Sequence, residues 1–218
     1  MKDLHNKKYV FFDMDGLLID TEKLYFSTRQ ATLKKYGFPF TEADNRHYIA
    51  KGFPDTTRRI QKLVDDKELG QKIFDESMDL YHQKVQNGEV ALKPGALELL
   101  KFLQEQNIDR YVTSSSTRDV LMVNVKNVGI EDYFTDIISG DDVKNNKPAP
   151  DIYLHALTVT NADPEETVVF EDAESGIEAA LAANIDVVAV PDLLQPREEL
   201  LKQAAAVLPN LNEAIKLF

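Results

Sequence analysis

Apolar residues along this chain follow two periods. Short continuous runs, Tyr9-Val10-Phe11-Phe12, Arg110-Tyr111-Val112-Thr113, Asp136-Ile137-Ile138-Ser139, Thr167-Val168-Val169-Phe170-Glu171 and Asp186-Val187-Val188-Ala189-Val190, have the length and the β-branched and aromatic content of buried strands. Helical spacing separates the later runs: Ala96, Leu99, Leu100 and Leu103 form one stripe, and helices are predicted over residues 118–127, 151–160 and 175–183, the last with Ile177, Ala180 and Leu181 on one face. Unbroken apolar strands alternating with helices predict an α/β domain built on a five-stranded parallel sheet covered on both faces.

Between the first and second runs the pattern is helical throughout. Residues 22–36 are rich in helix formers and close at Gly37, with Phe38-Pro39 as a stop. Thr41 and Asp44 read as a helix start; Ile60, Leu63 and Val64 sit at i, i+3, i+4; Phe74, Met78, Tyr81 and Val85 continue such spacing. A lone strand ahead of a helical unit has nothing to pair with, so the first run belongs to the later sheet. Residues 1–20 and 91–218 are therefore expected to form the α/β core and residues 21–90 an all-helical insertion. Its hinges are expected at residues 17–21 and 88–93.

The 218 residues suffice for one good core and a smaller appendage, and 25 Lys+Arg against 37 Asp+Glu leave a net charge of −12. The acidic residues are scattered through amphipathic segments, and no basic stripe is present to neutralise phosphates, so nucleic acid is excluded as a partner. Zero cysteines exclude disulfides and thiolate chemistry and fit a reducing compartment. The first eight residues contain no long apolar segment, and no stretch approaches membrane-spanning length, so the expectation is a cytoplasmic monomer with no membrane contact.

Candidate chemistry sits at the strand ends, where open α/β sheets bind ligands. The first run ends in Asp13-Met14-Asp15-Gly16, with two carboxylates at i, i+2 sharing one side while the backbone stays extended, and a glycine that lets the chain turn close to a ligand. A strand followed by a polar turn has the same composition. Thr113-Ser114-Ser115-Ser116 could donate to a phosphate, and reads equally as a helix N-cap. Lys147 lies between Asn146 and Pro148, which suits a fixed charge as well as a solvated loop. Glu171-Asp172 leave the fourth run; crowding them near Asp13 and Asp15 would be costly unless a cation sat among them. His5, His47, His82 and His155 are isolated and lack zinc spacing.

Taken together, Phe12-Asp13-Met14-Asp15-Gly16, Ser114, Lys147-Pro148-x-Pro150-Asp151 and Phe170-Glu171-Asp172-Ala173-x-Ser175-Gly176-Ile177-x-Ala179-Ala180 resemble the haloacid dehalogenase superfamily. The similarity is to its branch of β-phosphoglucomutases, sugar-phosphate phosphatases and pseudouridine-5′-phosphatases. The resemblance implies a Rossmann-like core with a mobile helical cap, and a Mg²⁺-dependent phosphatase acting on a small phosphorylated metabolite through an aspartyl-phosphate. It assigns Asp13 as nucleophile and Asp15 as general acid and base. Ser114 and Lys147 would hold the phosphoryl oxygens, with Thr113 as the other hydroxyl register. Mg²⁺ would be bound by Asp13, Asp15 (through its main-chain carbonyl) and Asp172, with Glu171 beside it. Gly16, Ser115 and the cap residue Lys51 are the expected substrate contacts; Arg58 and Arg59 follow Lys51 in the cap.

The nearest alternative is a phosphosugar mutase. Where mutase-like sequences place a histidine after the first motif this chain has Tyr25, and the cap arginine is matched by Asp55. Phosphonate hydrolysis would need a Schiff-base lysine, for which Lys51 has the wrong surroundings, and dehalogenation has no use for Asp15. A catalytically silent binding protein on the same fold is the alternative from another class.

Overall fold

Continuous burial of the apolar runs requires neighbours on both edges and both faces, which a central parallel sheet supplies. The structure, a computed structural model, describes residues 2–49 and 52–218, so Lys51 lies outside the described residues. Strands β1 (Tyr9–Phe12), β2 (Asp109–Thr113), β3 (Asp136–Ile138), β4 (Thr167–Glu171), β5 (Asp186–Ala189) and β6 (Ala206–Val207) form one sheet in the order β3-β2-β1-β4-β5-β6. All of its pairs are parallel. Side chains alternate between two cores: Val10, Phe12, Val168 and Phe170 enter one, Phe11, Val169, Val187 and Ala189 the other. Fully burying each such side chain stabilises by roughly 1.5–3 kcal/mol, which lets the sheet hold charged groups at its end.

The expected five strands are joined by a sixth. Ala204-Ala205-Ala206 favours helix by composition, yet Ala205 N–H donates to the Val187 carbonyl (2.8 Å) and Val188 and Ala189 pair with Ala206 and Val207. Two residues are too few to show a strand period, so only pairing with β5 defines this edge.

Helices α1 (Glu22–Lys35), α2 (Glu42–Asn45), α3 (Phe53–Val64) and α4 (Lys67–Gln86) follow β1. The remaining helices, α5 (Ala96–Glu105), α6 (Arg118–Asn127), α7 (Asp151–Thr160), α8 (Glu174–Ala182) and α9 (Glu198–Leu201), cover the sheet or its edge. Helix α1 ends where Gly37 adopts φ 84°, and α2 starts from a capping box in which Thr41 and Asp44 exchange backbone hydrogen bonds. On α3 the buried positions are Thr56, Ile60 and Val64, one turn apart; Leu63, expected on the same stripe, is 43% exposed because the face turned inward is narrower. Leu33, Phe40, Tyr48, Ile60, Val64 and Ile73 make a third core of their own.

The two segments that lead into and out of these four helices run side by side. Asp20 N–H donates to the Ala91 carbonyl and Lys93 N–H to the Leu18 carbonyl, both at 2.9 Å, across an antiparallel bridge between Ile19 and Leu92. A further tie is Tyr81 of α4, which stacks on Tyr25 of α1 (4.3 Å between centroids) and donates its hydroxyl to Asn124 Oδ1 of α6. No helix among the described residues is long and apolar enough to cross a membrane.

Candidate active site

The chain runs from β1 through β2 to β3 on one side, then returns to place β4 on the other side of β1. That reversal leaves a crevice beyond the carboxyl ends of β1 and β4, where the sequence puts Asp13 and Glu171-Asp172. Asp13 N–H still donates to the Phe170 carbonyl (3.0 Å), so the ladder itself positions the first carboxylate.

Lys147 reaches this crevice from the loop before α7. Its ammonium donates to Asp13 Oδ1 (2.7 Å), Glu171 Oε1 (2.6 Å) and the Thr113 carbonyl (2.9 Å), using all three protons, and lies over the Tyr153 ring. Burial opposes its charge, but the carboxylates of Asp13 and Glu171 outweigh that and hold it well above the usual lysine range. Glu171 is 1% exposed and also accepts a hydrogen bond from the Tyr153 hydroxyl. Burial pushes its pKa up to about 7 against the pull of Lys147. Asp172 is raised well above the carboxylate range by burial, then by the charges of Asp13 and Glu171.

Asp13, Glu171 and Asp172 each offer an oxygen within 4.8 Å of the others, a group that could hold a cation. Two of these carboxylates, Asp13 and Glu171, share one ammonium, and an added divalent ion would offset the repulsion among the three. The side chain of Asp15 stands outside this group. Its Oδ1 accepts from the Thr21 hydroxyl (2.7 Å) and its Oδ2 from Ser116 (2.9 Å). Burial, then the charge of Asp13, raises its pKa.

Two glycines make room for the carboxylates. Gly16 has φ 87°, and a Cβ there would fall 2.4 Å from Asp172 Oδ2. On α8, a Cβ at Gly176 would lie 1.9 Å from Glu171 Cδ and about as close to both its oxygens. Gly176→Ala is therefore expected to displace Glu171 from Lys147. If the cluster takes up a divalent cation, its affinity, read by titration calorimetry, should fall on the order of 10–100-fold, and overpacking should cost about 1–3 kcal/mol of stability. Unchanged affinity would mean that Glu171 is not needed in this position.

A cavity of about 110 Å³ joins this centre to the helices that follow β1. Asp13, Asp15, Ser114, Ser115, Lys147, Glu171 and Asp172 line it; Gly16, expected as a substrate contact, does not, and lies instead against the Asp172 side chain. Thr113 is fully buried and donates its hydroxyl to the Phe12 carbonyl (3.3 Å), whereas Ser114 lines the cavity. Thr21, Ser116, Tyr153 and Gly176 complete the centre without having been singled out for these contacts. Ser116 belongs to the hydroxyl run and Gly176 to the fourth motif, but their contacts with Asp15 and Glu171, like those of Thr21 and Tyr153, arise only through folding, so spacing carries no signal for them. Asp55, the counterpart of a mutase arginine, is held by Arg58 and Arg59 on its own helix at 3.2 and 2.7 Å, which accounts for both of those cations.

The model of the haloacid dehalogenase-like hydrolase family matches residues 10–190, a span from β1 through the end of β5. The chain belongs to this family. It is 31% identical to a phosphorylated carbohydrates phosphatase of Thermotoga maritima, with 95% of this chain and 96% of that protein covered. It is also 31% identical to (DL)-glycerol-3-phosphatase 2 of Arabidopsis thaliana, over 91% of this chain and 84% of that one. Among solved structures, a β-phosphoglucomutase from Clostridium difficile superposes with a TM-score of 0.78 at 25% identity, covering 95% and 92% of the two chains. Membership accounts for the order of the motifs: each falls after a strand of the common sheet.

Proposed function

We propose that this hydrolase is a Mg²⁺-dependent phosphatase of small phosphomonoesters that works through an aspartyl-phosphate. The observation that carries the reading is Asp13, fixed at the β1 end by Lys147 and facing the same cavity as Asp15. In this reading a carboxylate oxygen of Asp13 attacks phosphorus, and the bond from phosphorus to the ester oxygen breaks. Asp15, whose raised pKa favours the protonated form, gives its proton to the departing alkoxide. The resulting Asp15 carboxylate then takes a proton from the water that attacks the aspartyl-phosphate, releasing inorganic phosphate and restoring Asp13. Ser114 and Lys147 hold the phosphoryl oxygens while charge accumulates on them.

Asp13, Asp172 and the Asp15 carbonyl would hold Mg²⁺, with Glu171 beside it; when bound, the ion neutralises the carboxylates and stabilises phosphoryl charge. Residues 1–20 and 91–218 would act as the catalytic unit and residues 21–90 as a cap. The paired crossings at residues 18–20 and 91–93 are suited to serve as its hinge. A mutase is disfavoured by Tyr25, whose phenol is pushed well above its ordinary value by burial and then by Asp15, so it cannot take the proton a histidine would. The two phosphatases at 31% identity support a hydrolytic outcome.

The direct test is hydrolysis of nitrophenyl phosphate with and without Mg²⁺, followed by a panel of sugar, polyol and nucleoside monophosphates. Asp15→Asn should lower the rate on an alkyl phosphate by about 10²–10⁴-fold. The first-turnover release of nitrophenol should survive, because that leaving group needs no proton. Equal losses in both measurements would remove Asp15 from the role of acid.

A further inference from the structure

Among the described residues the cavity has a second cation, carried by a helix of the insertion and not by a strand end. Arg29 of α1 is 7% exposed and lines the cavity. One guanidinium nitrogen donates to Asn45 Oδ1 (2.5 Å), and the group lies over the Tyr48 ring at 4.8 Å. Asn45 and Tyr48 are neutral, and Arg29 forms no ion pair with a carboxylate among the described residues. The largest acidic influence on it is Glu22 on the first turn of the same helix, which also lines the cavity. A guanidinium carries five N–H donors in a planar fork, and a single hydrogen bond leaves most of that fork without an acceptor among the described residues. Burying a cation this way is unfavourable unless an anion completes the site. Structural support of α2 would require only the Asn45 bond and the Tyr48 contact, which a neutral side chain could supply without the cost of a buried charge.

We infer that Arg29 reads a second oxyanion on the substrate, so that the preferred phosphomonoesters carry a carboxylate or a second phosphate in addition to the phosphoryl group transferred at Asp13. This rests on the phosphatase reading and adds the substrate class. Two points make the geometry selective. The site of transfer is already served by Lys147, which is anchored beside Asp13 by Glu171 and the Thr113 carbonyl and stays with the phosphoryl group. Among the described cavity residues, Arg29 is the remaining cation, in a chain whose net charge is −12. Among the described residues an anionic leaving group therefore has one place to bind favourably, and a neutral one leaves the Arg29 fork without an anion. The fork matches the two oxygens of a carboxylate or of a phosphate.

The test compares paired substrates with and without the second anion, using wild type, Arg29→Lys and Arg29→Gln in the presence of Mg²⁺. The pairs are 2-phosphoglycolate against 2-hydroxyethyl phosphate, and propane-1,3-diol bisphosphate against 3-hydroxypropyl phosphate. Wild type should favour the anionic member of at least one pair, and Arg29→Gln should cut kcat/KM on that member by on the order of 10–100-fold, chiefly through KM. The neutral member and nitrophenyl phosphate should change less than about threefold, and Arg29→Lys should recover part of the loss. A preference in the first pair alone identifies a carboxylate, and in the second alone a phosphate. If wild type hydrolyses nitrophenyl phosphate but favours neither anionic member, or if Arg29→Gln lowers all substrates alike, the inference is overturned while the phosphatase reading stands. If wild type hydrolyses no phosphomonoester, both fall together. A variant that fails to fold leaves the wild-type preference to decide.

Discussion

Asp13→Asn is expected to lose turnover by at least on the order of 10³-fold on every phosphomonoester, good and poor leaving groups alike, because the amide cannot attack phosphorus. The fold should persist. The amide is nearly isosteric, the main-chain bond from Asp13 to Phe170 does not involve the side chain, and β1 stays buried between β2 and β4. Two electrostatic effects also oppose each other. Lys147 loses one of its two carboxylate partners, while Asp15, Glu171 and Asp172 lose a negative neighbour that raises each of them. The melting temperature should therefore move only a few degrees. Steady-state assays on nitrophenyl and alkyl phosphates, with a thermal melt as control, check this. Residual activity near that of wild type would eliminate covalent catalysis by Asp13.

Removing divalent metal is expected to abolish activity and to make stability depend on pH in a particular direction. Glu171 and Asp172 have raised carboxyl pKa values in the folded, metal-free chain, Glu171 at about 7 against an ordinary 4.5. Between those values the folded protein binds protons that the unfolded chain has released. This stabilisation is fully present below the ordinary carboxylate range and is lost as pH rises through about 7. Metal-free protein should thus melt at higher temperature at pH 5 than at pH 8. Mg²⁺ should reverse the trend, since binding favours ionised carboxylates. At pH 8, Mg²⁺ at about 100 times its Kd should add about 2.7 kcal/mol, or roughly 5–10 °C for a chain of this size. At pH 5 the gain should shrink, because the ion must displace protons. Scanning calorimetry with EDTA or Mg²⁺ at both pH values measures the effect. An equal Mg²⁺ increment at both values, or full activity after exhaustive chelation, would remove the metal from the acidic cluster.

Much of this protein is legible along the chain because its main features depend on local composition. Val- and Phe-rich runs with no polar alternation can be satisfied only by a sheet buried on both faces, so strands β1 to β5 follow from the residues themselves. A helical tract lodged between the first run and its partners has to leave the sheet and return. Asp13-x-Asp15-Gly16, Lys147 and Glu171-Asp172 announce their chemistry because carboxylates and a lysine directly at strand ends meet at the crevice that parallel topology creates.

What depends on long-range pairing had to wait for the tertiary structure. The edge strand β6 is an alanine-rich segment whose conformation is decided by β5. Leu63 has helical spacing but faces water, since periodicity locates a stripe without giving its width. The choice between Thr113 and Ser114 is one of side-chain direction, and Thr113 spends its hydroxyl on Phe12, a residue 101 positions away in sequence. Gly176 is required by the volume of Glu171, and Thr21 and Ser116 by the two oxygens of Asp15. Arg29 in the sequence is one more basic residue on a helix; only folding buries it and leaves it beside a neutral amide and a ring, the placement from which the anion site is inferred. Local composition thus determined the elements and the candidate reacting groups, whereas burial and contact across the chain decided their electrostatic surroundings and partners, because desolvation and Coulomb energy depend on distances that sequence spacing does not contain.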